Sequence, residues 1–224
     1  KPDEILLGHG SDEIVVFLGM AYLTARRGII TSEYAFVRYR MAAELIGAPC
    51  KLVPMNDMAH DLDAIAAAVD KDTAMICLDI PCNPTGTMVT KRQMTAFLEK
   101  IPKDVIVVLD QAYLEFAEDD RNVPDGIVLR KRFPNLVVLR TFSKAYWLAG
   151  MRIGYMVARP EIVTDINRIR PPFNTNRLIQ IGALAALEDK AHLRKTIATN
   201  AKAMAALEKG FARLGLKSWP SHAN

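Results

Sequence analysis

The chain has 224 residues, half of them hydrophobic and 24% charged, with 29 Lys+Arg against 25 Asp+Glu for a formal charge of +4. This is ordinary globular composition and argues against disorder. The charge is too small and too scattered to indicate a nucleic-acid binder, and the longest apolar run, Ile14 to Leu23, is too short to span a bilayer.

The predicted elements alternate between helix and strand. Ser11 to Arg26 reads as a helix capped by Ser11 or Asp12, with Ile14, Phe17, Leu18 and Tyr22 at helical spacing. Gly28 to Thr31 is a short strand. Phe36 to Ile46 is a helix stopped by Gly47. Lys51 to Pro54 is extended, Leu62 to Val69 is helical behind an Asp61 cap, and Thr73 to Leu78 is a buried strand. Thr90-Lys91-Arg92-Gln93 has capping-box form and opens a helix to Lys100. The β-branched run Val105 to Leu109 is too short for a helix and reads as a central parallel strand. Leu136 to Leu139 is a second such strand and Ile153 to Val157 a third. Thr175 to Glu188 and His192 to Leu214 are long helical stretches.

This alternation predicts an α/β fold with a mostly parallel sheet. In such sheets ligands bind beyond the carboxyl ends of the strands. The run ending at Leu78 is followed by Asp79-Ile80-Pro81-Cys82-Asn83-Pro84-Thr85-Gly86. The run ending at Leu109 is followed by Asp110-Gln111-Ala112-Tyr113, and that ending at Leu139 by Arg140-Thr141-Phe142-Ser143-Lys144. Taken singly, each has a plain reading as a turn, a cap or a surface charge. Together they place a carboxylate, a lysine and an asparagine loop on one crevice.

That set suits pyridoxal phosphate. A crevice lysine such as Lys144 forms a Schiff base with a carbonyl. A carboxylate such as Asp110 keeps the cofactor's ring nitrogen protonated. Asn83 and Tyr113 can donate to the ring hydroxyl. The N-terminus of the Ser11 helix, Thr141, Ser143 and Arg152 can take the phosphate. The three cysteines (Cys50, Cys77, Cys82) and four histidines (His9, His60, His192, His222) show no metal-ligand spacing, so no metal is expected. Sparse cysteines and the absence of a signal-like apolar stretch at Lys1-Pro2-Asp3-Glu4 lead to the expectation of a cytoplasmic protein.

At Gly10-Ser11-Asp12-Glu13, Asn83-Pro84-Thr85-Gly86-Thr87, Leu109 to Phe116, Thr141 to Ala145 and Leu148 to Tyr155, the sequence resembles the fold-type-I pyridoxal-phosphate aminotransferases of class I/II. It is most similar to the histidinol-phosphate aminotransferase group. The resemblance implies a three-layer large domain over residues 1–190. It further implies that residues 191–224 are a long helix and the start of a small C-terminal domain, in a chain truncated at both ends. It assigns Lys144 to the cofactor's carbonyl and to proton transfer, Asp110 to the ring nitrogen, and Asn83 and Tyr113 to the ring oxygen. Backbone donors at Ser11 and Asp12, with Thr141, Ser143 and Arg152, would form the phosphate cup. The aromatic residue stacked on the ring is expected at Phe36, with Tyr34 in reserve.

Gln111 stands where the family carries Glu, with little effect expected. Trp147 replaces a small residue and is expected to pack behind the lysine. The activity implied is exchange of amino and keto groups between L-histidinol phosphate and 2-oxoglutarate, giving imidazole acetol phosphate and L-glutamate in histidine biosynthesis. The expected state is a homodimer, with no membrane or nucleic-acid partner. An aromatic amino-acid aminotransferase, a phosphothreonine-type decarboxylase and a non-catalytic regulator reusing the same fold share the cofactor residues and are the competing readings.

Overall fold

The computed structural model describes residues 1–224. Seven strands form one sheet in the order β1-β7-β6-β5-β4-β2-β3. They are β1 (Ile5–Gly8), β2 (Gly28–Ser32), β3 (Cys50–Val53), β4 (Thr73–Asp79), β5 (Ile106–Asp110), β6 (Leu136–Thr141) and β7 (Gly154–Val157). The helices are α1 (Ser11–Tyr22), α2 (Arg38–Ile46), α3 (Leu62–Ala67), α4 (Lys91–Lys100), α5 (Gly126–Leu129), α6 (Pro160–Ile169), α7 (Arg177–Glu188) and α8 (Lys190–Arg213).

The central strands are buried on both faces, and their residues alternate between two cores. Met75, Cys77, Ile106, Val108, Val137 and Leu139 join Ile14, Leu18, Tyr39 and Ile162 on one face, under α1, α2 and α6. Their sequence neighbours Ile76, Leu78, Val107, Leu109, Leu136 and Val138 join Ile65, Met94 and Phe97 on the other, under α3 and α4. The result is three layers, helix–sheet–helix, as expected from the apolar, non-alternating strands.

Local signals explain most helix ends. Thr90 accepts from the Gln93 N–H while Gln93 returns a bond to the Thr90 N–H, the reciprocal capping box that opens α4. Asp61 caps α3 by accepting from the Ala64 N–H. Gly47, at φ 74°, ends α2 in the left-handed region.

Three readings need correction. First, β7 is antiparallel to both its neighbours, whereas the sequence suggested a parallel strand. The link from β6 to β7 contains only one short 3-10 turn, Ala149–Met151, and no crossover helix, so the chain can only return in the opposite direction. Second, α1 ends at Tyr22, four residues early, and α2 starts at Arg38, which leaves Phe36 ahead of the helix. Third, neither Ser11 nor Asp12 caps α1. Gly10 takes the cap position with no side-chain bond. β1 and α6 are absent from the predicted elements: β1 is only four residues long, whereas α6 carries a signal in Pro160 at its first turn and in Ile162, Val163 and Ile166 at helical spacing.

The reversal of β7 positions the site. Gly154 at its start pairs with Thr141 at the end of β6 and with Gly8 at the end of β1. Arg152, two residues before β7's first residue, is therefore delivered to the same rim as the carboxyl ends of β4, β5 and β6. No helix is long and apolar enough to cross a membrane.

Candidate active site

One cavity, open to solvent, lies at that rim. All ten residues singled out from the sequence (Ser11, Asp12, Phe36, Asn83, Asp110, Tyr113, Thr141, Ser143, Lys144 and Arg152) line it, and so do Tyr39, Asp79 and Ala112.

Asp110 forms the floor at the end of β5 and is 3% exposed. Its carboxylate accepts from the Ala112 N–H at 3.0 Å and from the Tyr39 hydroxyl at 3.2 Å. Burial, and then the neighbouring charge of Asp79, push its carboxyl up to about 7, against the two hydrogen bonds and the charge of Lys144. A buried carboxyl in this condition lacks a close cationic partner. A protonated ring nitrogen would supply one.

On the wall, the Asn83 side-chain amide donates to the Tyr113 hydroxyl at 3.0 Å. Both groups can thus reach one ligand oxygen. The Lys144 ammonium lies over the Tyr113 ring, 5.1 Å from its centroid. Phe36 meets Tyr39 edge-on at 5.8 Å, whereas Tyr34 is half exposed and outside the cavity. The position of Phe36 ahead of α2 is what places it in the cavity wall.

The other end of the cavity suits an anion. The first N–H groups of α1 have no side-chain cap, so they are open donors at the positive end of a 12-residue helix. Arg152 donates to the Ser143 hydroxyl at 3.2 Å and to the Ala149 carbonyl at 3.1 Å. The Ser143 N–H donates in turn to the Thr141 hydroxyl at 3.1 Å. Asp12 is held by an ion pair with Arg38, which leaves its backbone N–H as its contribution. A Cβ at Gly10 would stand 2.6 Å from the Arg152 guanidinium, and one at Gly154 would stand 2.5 Å from the Ser11 nitrogen. Only glycine permits these approaches. Donors, a fixed cation and two glycines form a cradle suited to an anion, and the residues present fit a phosphorylated pyridine aldehyde.

Sequence reasoning missed Tyr39, Asp79 and His60. Tyr39 is fully buried, and its hydroxyl reaches Asp110 only through the fold. His60, Asp79 and Cys82 are all buried, with their donor atoms within 4.8 Å of one another. Their spacing along the chain resembles no metal motif. Both His60 nitrogens are already engaged, Nδ1 by the Ser32 hydroxyl at 2.7 Å and Nε2 by the Asp79 carbonyl at 3.0 Å. The imidazole therefore offers no free nitrogen to a cation.

Two sequence departures also find their place. Gln111 points away from the cavity: its amide donates to the Pro124 carbonyl at 2.7 Å and its oxygen accepts from the Gly126 N–H at 3.1 Å. Trp147 does not pack behind the lysine. It is 69% exposed, has φ 59°, and meets His192 edge-on at 5.6 Å.

A model of the family described as aminotransferase class I and II matches residues 1–224. The histidinol-phosphate aminotransferase 2 of Ralstonia nicotianae is 46% identical over 220 residues, which is 98% of this chain and 59% of that protein. The histidinol-phosphate aminotransferase of Anaeromyxobacter sp. is 44% identical over 224 residues, 100% of this chain and 61% of that protein. The chain thus spans about three fifths of the length of the curated relatives it matches. The crystal structure of histidinol-phosphate aminotransferase from Sinorhizobium meliloti in complex with pyridoxal-5'-phosphate superposes with a TM-score of 0.94 at 31% identity. It is covered over 61% of its chain, with all of this one.

Proposed function

Because the chain belongs to the class I and II aminotransferases, we propose that it binds pyridoxal phosphate in the cavity described. We further propose that it transfers the amino group of L-histidinol phosphate to 2-oxoglutarate. The observation that carries this reading is the convergence of Lys144, Asp110, Asn83 and Arg152 on one cavity from four separate strand ends. The histidinol-phosphate aminotransferases at 46% and 44% identity favour this substrate over aromatic amino acids or decarboxylation of a phosphothreonine-type substrate.

When bound, the cofactor supplies an aldehyde that condenses with amines and a protonated ring that accepts electron density from the reacting carbon. The chain's own residues do the rest. Lys144 would hold the cofactor through its aldehyde and, once released by the amino donor, its Nζ would carry the proton from the donor's Cα to the cofactor as general base and then general acid. Asp110 holds the proton on the ring nitrogen, and its burial strengthens that bond. Asn83 and Tyr113 would hold the ring oxygen. Phe36 covers one ring face. The α1 N–H groups, Thr141, Ser143 and Arg152 bind the phosphate and keep the reacting end over Lys144.

By this reading α8 leads into a small domain, and two copies of the chain assemble as a dimer. α7 leaves Leu178 77% and Leu184 62% exposed, apolar surface that such an assembly would cover.

The test uses the protein expressed from its full reading frame and loaded with cofactor. L-histidinol phosphate is added without a keto acid, and the visible absorption of the lysine-bound cofactor is followed. Loss of that band at far lower concentrations of histidinol phosphate than of L-phenylalanine is the expected result. A stronger response to phenylalanine overturns the substrate. Failure of borohydride to fix the cofactor on Lys144 overturns the cofactor reading.

A further inference from the structure

We propose that Asp79 and His60 form a buried charge pair that acts as a positioning element for this cavity, holding Asn83 in place and keeping a second carboxylate beside Asp110. The proposal rests on the cofactor reading above and deepens it.

The argument starts from strand alternation. Met75 and Cys77 face the core under α1 and α2, so Asp79 continues that face; Ile106, Val108 and then Asp110 do the same on β5. Asp79 and Asp110 are register partners at the ends of adjacent strands. Two buried carboxylates in this arrangement repel one another unless each has its own cation. In the bound state Asp110 has the ring nitrogen. Asp79 has His60, whose Nε2 lies 3.5 Å from Oδ1, with the two side chains 2% and 4% exposed.

Asp79 Oδ1 accepts no hydrogen bond, and a lone buried carboxylate oxygen is costly. An imidazolium beside it is the available compensation. Burial by itself lowers the His60 titration, but the contacts with Asp79 and Cys82 outweigh it and raise it to about 10. The other oxygen, Oδ2, accepts from the Asn83 N–H at 2.6 Å. Asn83 is thereby locked at the point where its side chain meets Tyr113. The ionisable groups around the pair are Asp110 on β5, Tyr39 on α2, Cys77 on β4, Cys82 in the following loop and Lys144 after β6. Of these only Lys144 is a cation, and it makes no ion pair with Asp79, so the compensation falls to His60.

Two measurements on the protein from its full reading frame test this. In ring-15N-histidine-labelled wild type, with or without cofactor, His60 is expected as an imidazolium at pH 8 and as a neutral ring in Asp79→Asn. A neutral His60 in wild type overturns the pair, whatever the variants do. The second measurement is pyridoxal phosphate affinity, read from the visible band. His60→Gln leaves Asp79 unpaired and is expected to weaken binding about tenfold. The double variant Asp79→Asn/His60→Gln removes both charges and is expected to recover to within about threefold of wild type. Additive losses in the double variant overturn the proposal and reduce these residues to packing. Wild type that binds no cofactor overturns the cofactor reading instead, and the NMR result then stands on its own.

Discussion

The Tyr39 hydroxyl donates a 3.2 Å hydrogen bond to Asp110 across 71 positions of chain. It ties α2 to the floor of the cavity, and both groups are buried. Asp110 titrates near 7 in the folded chain and near 4 when unfolded. Between those values the native state without cofactor holds a proton that the unfolded state has released. Glu115, also raised to about 7 by burial, does the same. Stability without cofactor is therefore expected to fall as pH rises from about 4 to about 7. Asp110→Asn should remove about half of that fall, since two carboxyls drive it. Thermal midpoints against pH for the two proteins check this; parallel curves would refute it.

Lys144 is the group on which covalent binding depends. Lys144→Ala is expected to leave the thermal midpoint near that of wild type, because the side chain is partly exposed and makes no ion pair within the chain. Borohydride should then fix no cofactor to the polypeptide, as read by mass. Amino transfer should fall by about 10³-fold or more, the scale of a lost proton-transfer group.

Gly10 stands against Arg152 in the anion cradle. Its φ of 79° and ψ of 168° are open to glycine alone, and a Cβ would meet Arg152. Gly10→Ala is expected to cost about 1–3 kcal/mol in stability through backbone strain. It should also weaken binding of pyridoxal phosphate more than that of pyridoxal, because the disturbed contact is to the phosphate side. Equal loss for both ligands would place the phosphate elsewhere.

Gln111 provides the contrast. It follows Asp110 in sequence, yet it is fully buried on the opposite side of the strand and joins β5 to the loop before α5. Gln111→Ala leaves the Gly126 N–H and the Pro124 carbonyl without partners, at about 1–3 kcal/mol each if neither finds water. Denaturant melts should register the loss, while cofactor affinity should stay within about twofold of wild type.

Much was legible in the chain because local chemistry decides it. The β-branched runs at Ile106 to Leu109 and Leu136 to Leu139 are short and apolar on both faces, which suits central strands. Thr90 with Gln93, Asp61 and Gly47 mark helix ends through contacts within a few residues. The ten candidate residues were legible for a related reason. Most of them follow a strand end or open a helix, and in a sheet of this kind those points share one rim; Phe36 and Arg152 are the exceptions.

What the tertiary structure alone decided concerns contacts whose partners are far apart in sequence. The reversed direction of β7 follows from the short link out of β6, and that reversal brings Arg152 to the rim. Phe36 lies in the cavity wall because α2 begins two residues later than its periodicity suggests. Trp147 faces solvent, against the edge of His192. The triangle of His60, Asp79 and Cys82 and the bond from Tyr39 to Asp110 leave no periodic trace, because a buried polar group takes whichever partner the packed core brings within reach. Periodicity and capping are properties of neighbouring residues and could be read directly; the charge balance of the cavity depends on distances across the sheet, which exist only once the chain has folded.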